Sequence, residues 1–278
     1  VDLAGLRIAV DCANGAASDV GPAALREAGA DVVVINASPD GRNINEKCGS
    51  THPEQLQATV VASGAAMGVA FDGDADRCLA VDAAGNLVDG DQIMGLVARS
   101  QSRRGLLAHN TLVVTVMSNL GLLHAMRDEG IAIEQTGVGD RYVLERMREG
   151  GFNLGGEQSG HIIMSDHATT GDGVLSALQL AALVVKDGPL AQQASLVRRM
   201  PQILINVGGV DRARAGQDEA LLAAVAAAEA DLGDAGRVLL RPSGTEPLVR
   251  VMVEAATQVR ATRVAEDLAE IVKARLSL

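Results

Sequence analysis

Short apolar strands alternate with helical segments over residues 6–71, and this alternation constrains the fold more than any other feature of the chain. We predict strands at Leu6 to Asp11, Asp31 to Asn36 and Met67 to Phe71, with helices at Pro22 to Ala28 and Pro53 to Ser63 between them. Strands that are apolar on both faces are typical of a parallel sheet covered by helices on either side. The chain therefore begins as an α/β domain with a mostly parallel sheet.

The alternation restarts after a polar segment, Ser100 to Arg104, which we interpret as a hinge. The second set has two strands and three helices, at Thr111 to Met117, Gly121 to Glu129, Ile131 to Gln135, Arg141 to Arg148 and Gly173 to Lys186. Two similar sets in tandem indicate two α/β domains of related architecture rather than one large sheet.

The order of strands and helices changes at Pro201. A strand, an Ala-rich helix, two adjacent strands and a final amphipathic helix follow, at Gln202 to Val207, Glu219 to Asp231, Arg237 to Leu240, Leu248 to Glu254 and Gln258 to Leu276. Adjacent strands with few crossovers are typical of a small α+β domain. We therefore expect three domains, at residues 1–88, 89–199 and 200–278.

The composition argues against two classes of partner. With 24 basic against 35 acidic residues and a net charge of −11, the chain lacks the concentrated Lys and Arg that nucleic acids require. One Tyr, two Phe and no Trp leave little for bases to stack on. No apolar run reaches the roughly 20 residues that span a bilayer. We therefore expect neither nucleic-acid nor membrane binding.

The chain has three cysteines without CxxC spacing. This favours a reduced, cytoplasmic location.

Three carboxylates alternate with small residues in the aspartate loop, which runs from Asp72 to Arg77 at the end of a predicted strand. Asp72, Asp74 and Asp76 can fold their oxygens around one hard cation, and we predict a Mg²⁺ site here. The alternatives are a solvated acidic turn or an adventitious Ca²⁺ site. Arg77 adds a cation suited to a phosphate shared with the metal, or else a simple ion pair with the same aspartates.

A second candidate is the arginine loop, which runs from Arg241 to Pro247 and is followed by Arg250. Ser243, Gly244 and Thr245 offer two hydroxyls and consecutive backbone N–H groups, which is typical of an anion-binding nest. Arginine supplies the bidentate charge that a phosphate favours. The alternative is an ordinary hairpin turn, because Pro, Ser and Gly are common turn residues.

A third candidate is the glycine loop, Gly155 to His161. Its Glu157, Gln158 and Ser159 are flanked by glycines and can approach a sugar closely, while His161 can assist proton transfer or contact phosphate. A structural histidine is an equally good interpretation of these residues alone.

A fourth loop, Thr136 to Tyr142, is better explained by structure than by chemistry. Its glycines permit a tight turn, and we expect Asp140 to cap the following helix. A contact between Arg141 and a substrate phosphate is the secondary interpretation.

The aspartate, glycine and arginine loops, taken together over essentially the whole chain, resemble the α-D-phosphohexomutase superfamily. Within it, five stretches resemble the phosphoglucosamine mutase family: Asn43-Ile44-Asn45, Cys48 to His52, Met117 to Leu122, Val138 to Tyr142 and Gly156 to His161. The resemblance implies two tandem phosphohexomutase-type α/β domains followed by a small α+β C-terminal domain. They would carry the metal loop, the sugar-binding residues and the phosphate-binding residues respectively.

The resemblance also implies the chemistry. Such enzymes interconvert glucosamine 6-phosphate and glucosamine 1-phosphate through a phosphoserine and a bisphosphorylated intermediate, on the route to UDP-N-acetylglucosamine and the cell wall. The implied roles are Mg²⁺ ligation by Asp72, Asp74 and Asp76, phosphoryl contact by Arg77, and a place near the reacting end for His161. Sugar hydroxyls would contact Glu157 and Ser159, and the phosphate that is not transferred would contact Arg241, Ser243, Gly244, Thr245 and Arg250.

Two features depart from the family pattern. The family's phosphoserine lies in a Ser-His-Asn-Pro type motif, and this sequence has no Ser-His pair. Since the chain also begins with Val1, we expect that it holds the family's second, third and fourth domains and is missing the N-terminal phosphoserine domain. We expect the chain alone to bind hexose phosphate without turning it over. Ala75 stands where many relatives carry Gly, which matters if that position needs a positive φ. A homodimer is a further expectation from the relatives.

Three other functions remain open from the sequence. The chain can belong to another phosphohexomutase, such as a phosphomannomutase or phosphoglucomutase. It can be a phosphatase of the haloacid dehalogenase type with Asp72 as nucleophile, although Asp76 does not fit that motif. It can also be a non-catalytic module that binds sugar phosphates.

Overall fold

A computed structural model describes residues 2–243 and 246–278 of the chain. These residues form two compact units. The first comprises residues up to Ser118 together with Leu122–Arg198, and the second comprises Asn119–Gly121 together with Arg199–Leu278.

The first sheet of the first unit has five strands in the order β2-β1-β3-β4-β5. They are β1 (Arg7–Asp11), β2 (Asp31–Ile35), β3 (Met67–Phe71), β4 (Cys78–Asp82) and β5 (Leu87–Val88). The predicted parallel pairing is confirmed for β1, β2 and β3, while β4 and β5 are antiparallel and had not been predicted. In the central strand β1, Val10 lies opposite Val34 of β2 on one side and Val69 of β3 on the other.

Helices α1 (Ala17–Glu27) and α2 (Glu54–Ser63) connect the parallel strands. The predicted start of α1 at Pro22 is wrong, because Pro22 lies inside the helix. Ala17, Gly21 and Leu25, spaced four residues apart, are all buried. Packing of this stripe extends the helix by more than a turn on the N-terminal side of Pro22.

The second sheet has the order β7-β6-β8-β9, with β6 (Thr111–Thr115), β7 (Ala132–Thr136), β8 (Leu154–Gly156) and β9 (Ile162–Met164). Strands β7 and β8 are parallel to β6, and β9 is antiparallel to β8. Five helices belong to this part of the chain: α3 (Gly90–Arg103), α4 (Leu120–Asp128), α5 (Asp140–Gly150), α6 (Gly173–Asp187) and α7 (Leu190–Ala194). Two separate sheets confirm the prediction of two α/β sets rather than one large sheet.

The predicted hinge at Ser100 to Arg104 is wrong, because most of it is the last turn of α3. Asp89 begins this helix with a capping box, in which its side chain accepts from the backbone of Gln92 and the Gln92 side chain accepts from the Asp89 backbone. The buried side chains of Ile93, Met94 and Val97 then hold the helix in the core.

One hydrophobic core runs through both sheets of the first unit. Phe71 of β3, Met94 of α3, Leu112 of β6 and Leu180 of α6 all belong to the same cluster of buried side chains. The boundary between residues 1–88 and 89–199 therefore crosses a shared core, and the division into three domains stays a prediction.

The second unit is a small α+β unit, as predicted for the C-terminal part. Its strands β10 (Gln202–Gly208), β11 (Gly236–Pro242) and β12 (Leu248–Ala255) form an antiparallel sheet in the order β10-β12-β11. Helices α8 (Glu219–Leu232) and α9 (Gln258–Leu276) contribute to its core. Among the described residues, no helix combines the length and apolar character needed to cross a bilayer.

Candidate functional site

The aspartate loop joins β3 to the antiparallel β4 in a single tight turn. Ala75 has a φ of 62°, in the left-handed region, and its N–H donates to the Asp72 carbonyl over 3.1 Å. This reversal brings the three side chains to one place, where one carboxylate oxygen of each of Asp72, Asp74 and Asp76 lies within 4.8 Å of the others. Position 75 therefore does need a positive φ, and Ala75 adopts it at a cost.

The arrangement of these carboxylates fits a divalent cation. Asp72 is 4% exposed, and burial together with the nearby charge of Asp76 raises the pKa of its carboxyl group. The Oδ1 atom of Asp76 is buried and finds no hydrogen-bond donor within the described part of the chain. A hard cation would neutralise the mutual repulsion and contact this oxygen, which accepts no hydrogen bond from the described residues, since oxygen ligands of this kind suit Mg²⁺ or Ca²⁺.

Arg77 closes the aspartate loop and contacts two of its carboxylates. Its backbone N–H donates to Asp72 Oδ1 over 3.2 Å, and its Nε atom lies 3.4 Å from Asp72 Oδ2 and 3.5 Å from Asp76 Oδ1. The ion pair that was an alternative interpretation of Arg77 is thus formed. The side chain remains 43% exposed, so it is still accessible to an anionic ligand beside the carboxylates.

The imidazole of His161 is engaged at both nitrogens. The N–H of Gly171 donates to Nε2 over 3.0 Å, which leaves Nδ1 to carry the hydrogen and donate to Asp76 Oδ2 over 3.0 Å. The ring is 4% exposed. The proton-transfer role expected for His161 does not fit this arrangement, because neither nitrogen is available to a substrate. The geometry favours a histidine that orients Asp76.

The structure brings the glycine loop and the aspartate loop together. Residues Arg77 and His161 form an isolated antiparallel bridge, and the N–H of Cys78 donates to the Gly160 carbonyl over 3.1 Å. A Cβ atom on Gly160 would lie 2.4 Å from the Cys78 carbonyl oxygen, and one on Gly173 would lie 2.4 Å from the Arg77 carbonyl oxygen. Two glycines thus allow the backbones around the carboxylates to touch.

Glu157 and Ser159 lie on the same loop with different surroundings. The Oε1 atom of Glu157 accepts from the N–H of Gly139 over 3.1 Å, which fixes the direction of the carboxylate, while Ser159 is exposed. Gly139, with a φ of 130°, is the residue before α5. The prediction that Asp140 caps this helix is wrong, because Asp140 is its first residue and no side-chain cap is formed. The Arg141 guanidinium lies over the Tyr142 ring, 4.7 Å from its centroid.

Asp89 and Gly90 bond to the glycine loop and had not been predicted to belong to the site. The N–H of Gly90, at the start of α3, donates to the Gln158 carbonyl over 3.0 Å, and the Gln158 side chain donates to Asp89 Oδ2 over 3.4 Å. The signal was present in the sequence, because Asp89 followed by Gln92 three residues later is typical of a helix start.

In the second unit, the arginine loop joins β11 to β12. Arg241 and Arg250 are direct cross-strand neighbours, and burial together with the charge of Arg250 lowers the pKa of Arg241. The Nε atom of Arg250 is buried and has no hydrogen-bond acceptor among residues 2–243 and 246–278, while its Nη2 atom lies 3.6 Å from Glu246 Oε2. Like charges directly opposite each other destabilise a sheet, so this pair fits an anion that neutralises it.

Ser243 organises the described part of the arginine loop. It is 5% exposed, its N–H donates to the Leu248 carbonyl over 2.9 Å, and its Oγ atom accepts from the N–H of Glu246 over 3.2 Å. The hydroxyl hydrogen is not used in these bonds and can be donated to a ligand. The alternative of a hairpin turn is thus confirmed for this segment, and phosphate binding by it stays a prediction. Gly244 and Thr245, predicted to contact phosphate, lie outside the described residues.

Comparison with known proteins gives matches along nearly the whole chain. Three domain models of the phosphoglucomutase/phosphomannomutase family match: the α/β/α domain II at residues 2–85, the α/β/α domain III at residues 89–200 and the C-terminal domain at residues 204–271. Curated relatives include a phosphoglucosamine mutase of Bifidobacterium longum subsp. infantis, 63% identical over 99% of this chain and 60% of its own length. Another, from Renibacterium salmoninarum, is 60% identical over 99% of this chain and 62% of its own length.

Solved structures show the same fold at low sequence identity. An N-acetylphosphoglucosamine mutase of Aspergillus fumigatus matches 99% of this chain and 62% of its own, with a TM-score of 0.80 and 24% identity. A phosphoglucomutase/phosphomannomutase family protein of Burkholderia thailandensis matches with a TM-score of 0.79 and 24% identity, over 98% of this chain and 62% of its own. The chain spans about 60% of the length of the curated relatives it matches. With three consecutive domain models of one family accounting for nearly all of its residues, the chain belongs to the phosphoglucomutase/phosphomannomutase family.

Proposed function

We propose that these residues are part of a phosphoglucosamine mutase, which interconverts glucosamine 6-phosphate and glucosamine 1-phosphate through a bisphosphorylated intermediate. The observation that carries the reaction class is the convergence of Asp72, Asp74 and Asp76 next to Arg77. The choice of substrate is supported by relatives of 60% to 63% identity that carry this name.

The aspartate loop would hold Mg²⁺ through Asp72, Asp74 and Asp76. A bound Mg²⁺ supplies charge neutralisation at a phosphoryl group, which is the main requirement of phosphoryl transfer. Arg77 adds a second positive charge on the same side, and its half-exposed guanidinium can share the phosphoryl oxygens. His161 keeps Asp76 in place through its Nδ1 hydrogen bond.

The glycine loop would bind the sugar. Glu157 is oriented by the Gly139 N–H, and Ser159 is exposed, so both offer polar groups to sugar hydroxyls at the surface of the loop. Because the two phosphorylated positions of the sugar exchange places during the reaction, these contacts must tolerate either orientation.

The arginine loop would bind the phosphate that is not transferred. Arg241 and Arg250 supply the charge, and Ser243 supplies a buried hydroxyl. By residue type, Gly244 and Thr245 would add backbone N–H groups, and Thr245 a second hydroxyl. A dianionic phosphate would offset the repulsion between the two guanidinium groups, because each can then bond to an oxygen rather than face only its neighbour.

The phosphatase alternative is disfavoured by the surroundings of Asp72. One of its oxygens accepts from the Arg77 N–H at 3.2 Å and the other lies 3.4 Å from Arg77 Nε. A carboxylate held in this way at 4% exposure is poorly placed to attack phosphorus.

A cytoplasmic location belongs to the same proposal and is supported by Cys12, Cys48 and Cys78, which are all free thiols.

Calorimetric titration of the chain with glucosamine 6-phosphate, with and without Mg²⁺, tests the binding roles. We expect binding that depends on the phosphate, with free glucosamine failing to bind, and a lower affinity in the Arg241→Gln variant. Glucose 6-phosphate and mannose 6-phosphate serve as competitors, and a preference for either would favour another phosphohexomutase. The reaction itself is checked by ³¹P NMR on the protein expressed from its full reading frame. Binding without any interconversion there would favour the non-catalytic module.

A further inference from the structure

Arg212 lies in a short 3-10 turn, Arg212–Arg214, between β10 and α8. The turn is held from both sides, since Asp211 Oδ1 accepts from the N–H of Ala213 over 3.1 Å and the N–H of Asp211 donates to the Leu276 carbonyl over 2.7 Å. The backbone next to Arg212 is therefore anchored to the end of α9, where Leu276 is buried in the core of the second unit.

The guanidinium of Arg212 reaches the arginine loop and bonds to its backbone. Its Nη1 atom donates to the carbonyl oxygens of Ser243 and Glu246, the second at 3.2 Å. These two carbonyls bracket positions 244 and 245 in the chain. One donor atom thus bonds to both ends of the segment that carries the predicted phosphate donors.

We propose that Arg212 is a positioning residue for the arginine loop, which sets the loop's conformation for phosphate by holding the Ser243 and Glu246 carbonyls together. This inference rests on the phosphate-binding role proposed for the loop. Arg212 therefore fixes the peptide carbonyls of the two described residues that flank positions 244 and 245.

The bonds within the loop agree with this assignment. The Glu246 N–H donates to Ser243 Oγ over 3.2 Å, and the Leu248 N–H donates to the Glu246 carbonyl over 2.9 Å, the same carbonyl that accepts from Arg212. Without Arg212, the Ser243 carbonyl loses this side-chain partner, while the bonds among Ser243, Glu246 and Leu248 remain. The strands β11 and β12 do not depend on Arg212, because their ladder begins at Pro242 and Val249.

The turn offers a matched control in Arg214. It lies two residues further along the same turn and pairs with Asp218 at 3.4 Å instead of the arginine loop. Substituting Arg214→Ala removes the same charge from the same turn. A general electrostatic effect on an anion would therefore appear equally in both variants.

The test compares Arg212→Ala, Arg212→Lys and Arg214→Ala in the 278-residue chain. The first measurement is hydrogen exchange at the amides of Glu246 and Leu248 without ligand. We expect it to be at least about tenfold faster in Arg212→Ala than in the wild-type chain and in Arg214→Ala, with no change in the amides of β12 from Val249 onward. Unchanged exchange at Glu246 and Leu248 would overturn the proposal, whatever the loop binds.

The second measurement is the affinity for inorganic phosphate and for glucosamine 6-phosphate. We expect a loss of about tenfold in Arg212→Ala and recovery of most of it in Arg212→Lys, because an ammonium group can also donate to two carbonyls. Equal losses in Arg212→Lys and Arg212→Ala would mean that the guanidinium itself contacts phosphate, and equal losses in Arg214→Ala would mean a charge effect. Either result overturns the positioning role. A wild-type chain that binds neither ligand contradicts the proposed function instead, and the exchange measurement then decides the role of Arg212 alone.

Discussion

Nδ1 of His161 lies 3.0 Å from Oδ2 of Asp76, so a carboxylate of the aspartate loop is oriented by an imidazole from the glycine loop. The Gly171 N–H fixes the other nitrogen of the ring and with it the tautomer. A contact of this kind ties the position of one proposed cation ligand to a residue 85 positions away in sequence.

The His161–Asp76 contact predicts an effect on cation binding. We expect His161→Ala to weaken Mg²⁺ binding by about tenfold, the effect typical of losing the partner that orients a ligand. His161→Asn should retain more affinity, because its amide can donate to Asp76 as Nδ1 does. Calorimetry with MgCl₂ measures both, and His167→Ala, at an exposed position, is the control. Identical Mg²⁺ affinity in all variants would exclude the orienting role.

The left-handed conformation of Ala75 predicts a stabilising substitution. An L-residue with a side chain pays about 1–2 kcal/mol for this region, and Gly does not. Since Gly also loses more backbone freedom on folding, we expect Ala75→Gly to raise the free energy of unfolding by about 1 kcal/mol in urea titrations. Ala84→Gly is the control, since Ala84 does not have a positive φ, and there we expect a loss. A lower free energy of unfolding in Ala75→Gly would show that Ala75 is not strained.

The facing arginines predict opposite effects on stability and on binding. Arg250→Gln removes the like-charge pair with Arg241, so the stability of the second unit without ligand should stay the same or rise by roughly 0.2–1 kcal/mol. Affinity for phosphate should fall by about tenfold, as expected when a charged hydrogen bond is lost. Thermal unfolding with and without phosphate measures both quantities. A clear fall in ligand-free stability together with unchanged phosphate binding would contradict the assignment.

Asp218 predicts a pH dependence of the second unit. Its hydrogen bonds from Arg275, at 3.1 Å each, and from the Leu221 N–H lower the pKa of its carboxyl group below 3.8. A lowered pKa in the folded state adds stability that is present above the unfolded value and disappears as the pH falls through the folded value. The wild-type chain should therefore be more stable than Asp218→Asn at pH 7, and the difference should shrink below pH 3.8.

Asn is the appropriate substitution because it caps helices as well as Asp does, so α8 keeps its N-terminal bond while the ion pair with Arg275 is lost. Urea unfolding at a series of pH values gives the comparison. A difference in stability that stays constant down to pH 2.5 would show that the Asp218 carboxylate is not responsible.

The local pattern of the sequence was sufficient to predict the strand that leads into the aspartate loop. Met67–Phe71 is a run of apolar residues that ends in three alternating carboxylates, and both the strand and the clustering of the carboxylates follow from that pattern. The adjacent strands around the arginine loop were predictable in the same way. In each case the relevant bonds join residues that are close in the chain.

What could not be predicted depends on contacts between distant residues. The φ of Ala75 follows from the tight turn into β4, a strand that had not been recognised. The role of His161 depends on Gly171 and Asp76, and the start of α1 depends on the burial of Ala17 in the core. Arg212 had no local signal at all, since its partners lie 31 and 34 residues further along the chain.

The close backbone contacts around the carboxylates have a consequence for sequence variation. Gly160 and Gly173 touch no ligand in the proposed mechanism, yet any side chain at either position would collide with a carbonyl of the segment that holds the carboxylates. A library of all single substitutions, scored for growth, should therefore find these two glycines as intolerant as Asp72 itself. The geometry of this site therefore depends on residues that have no functional group.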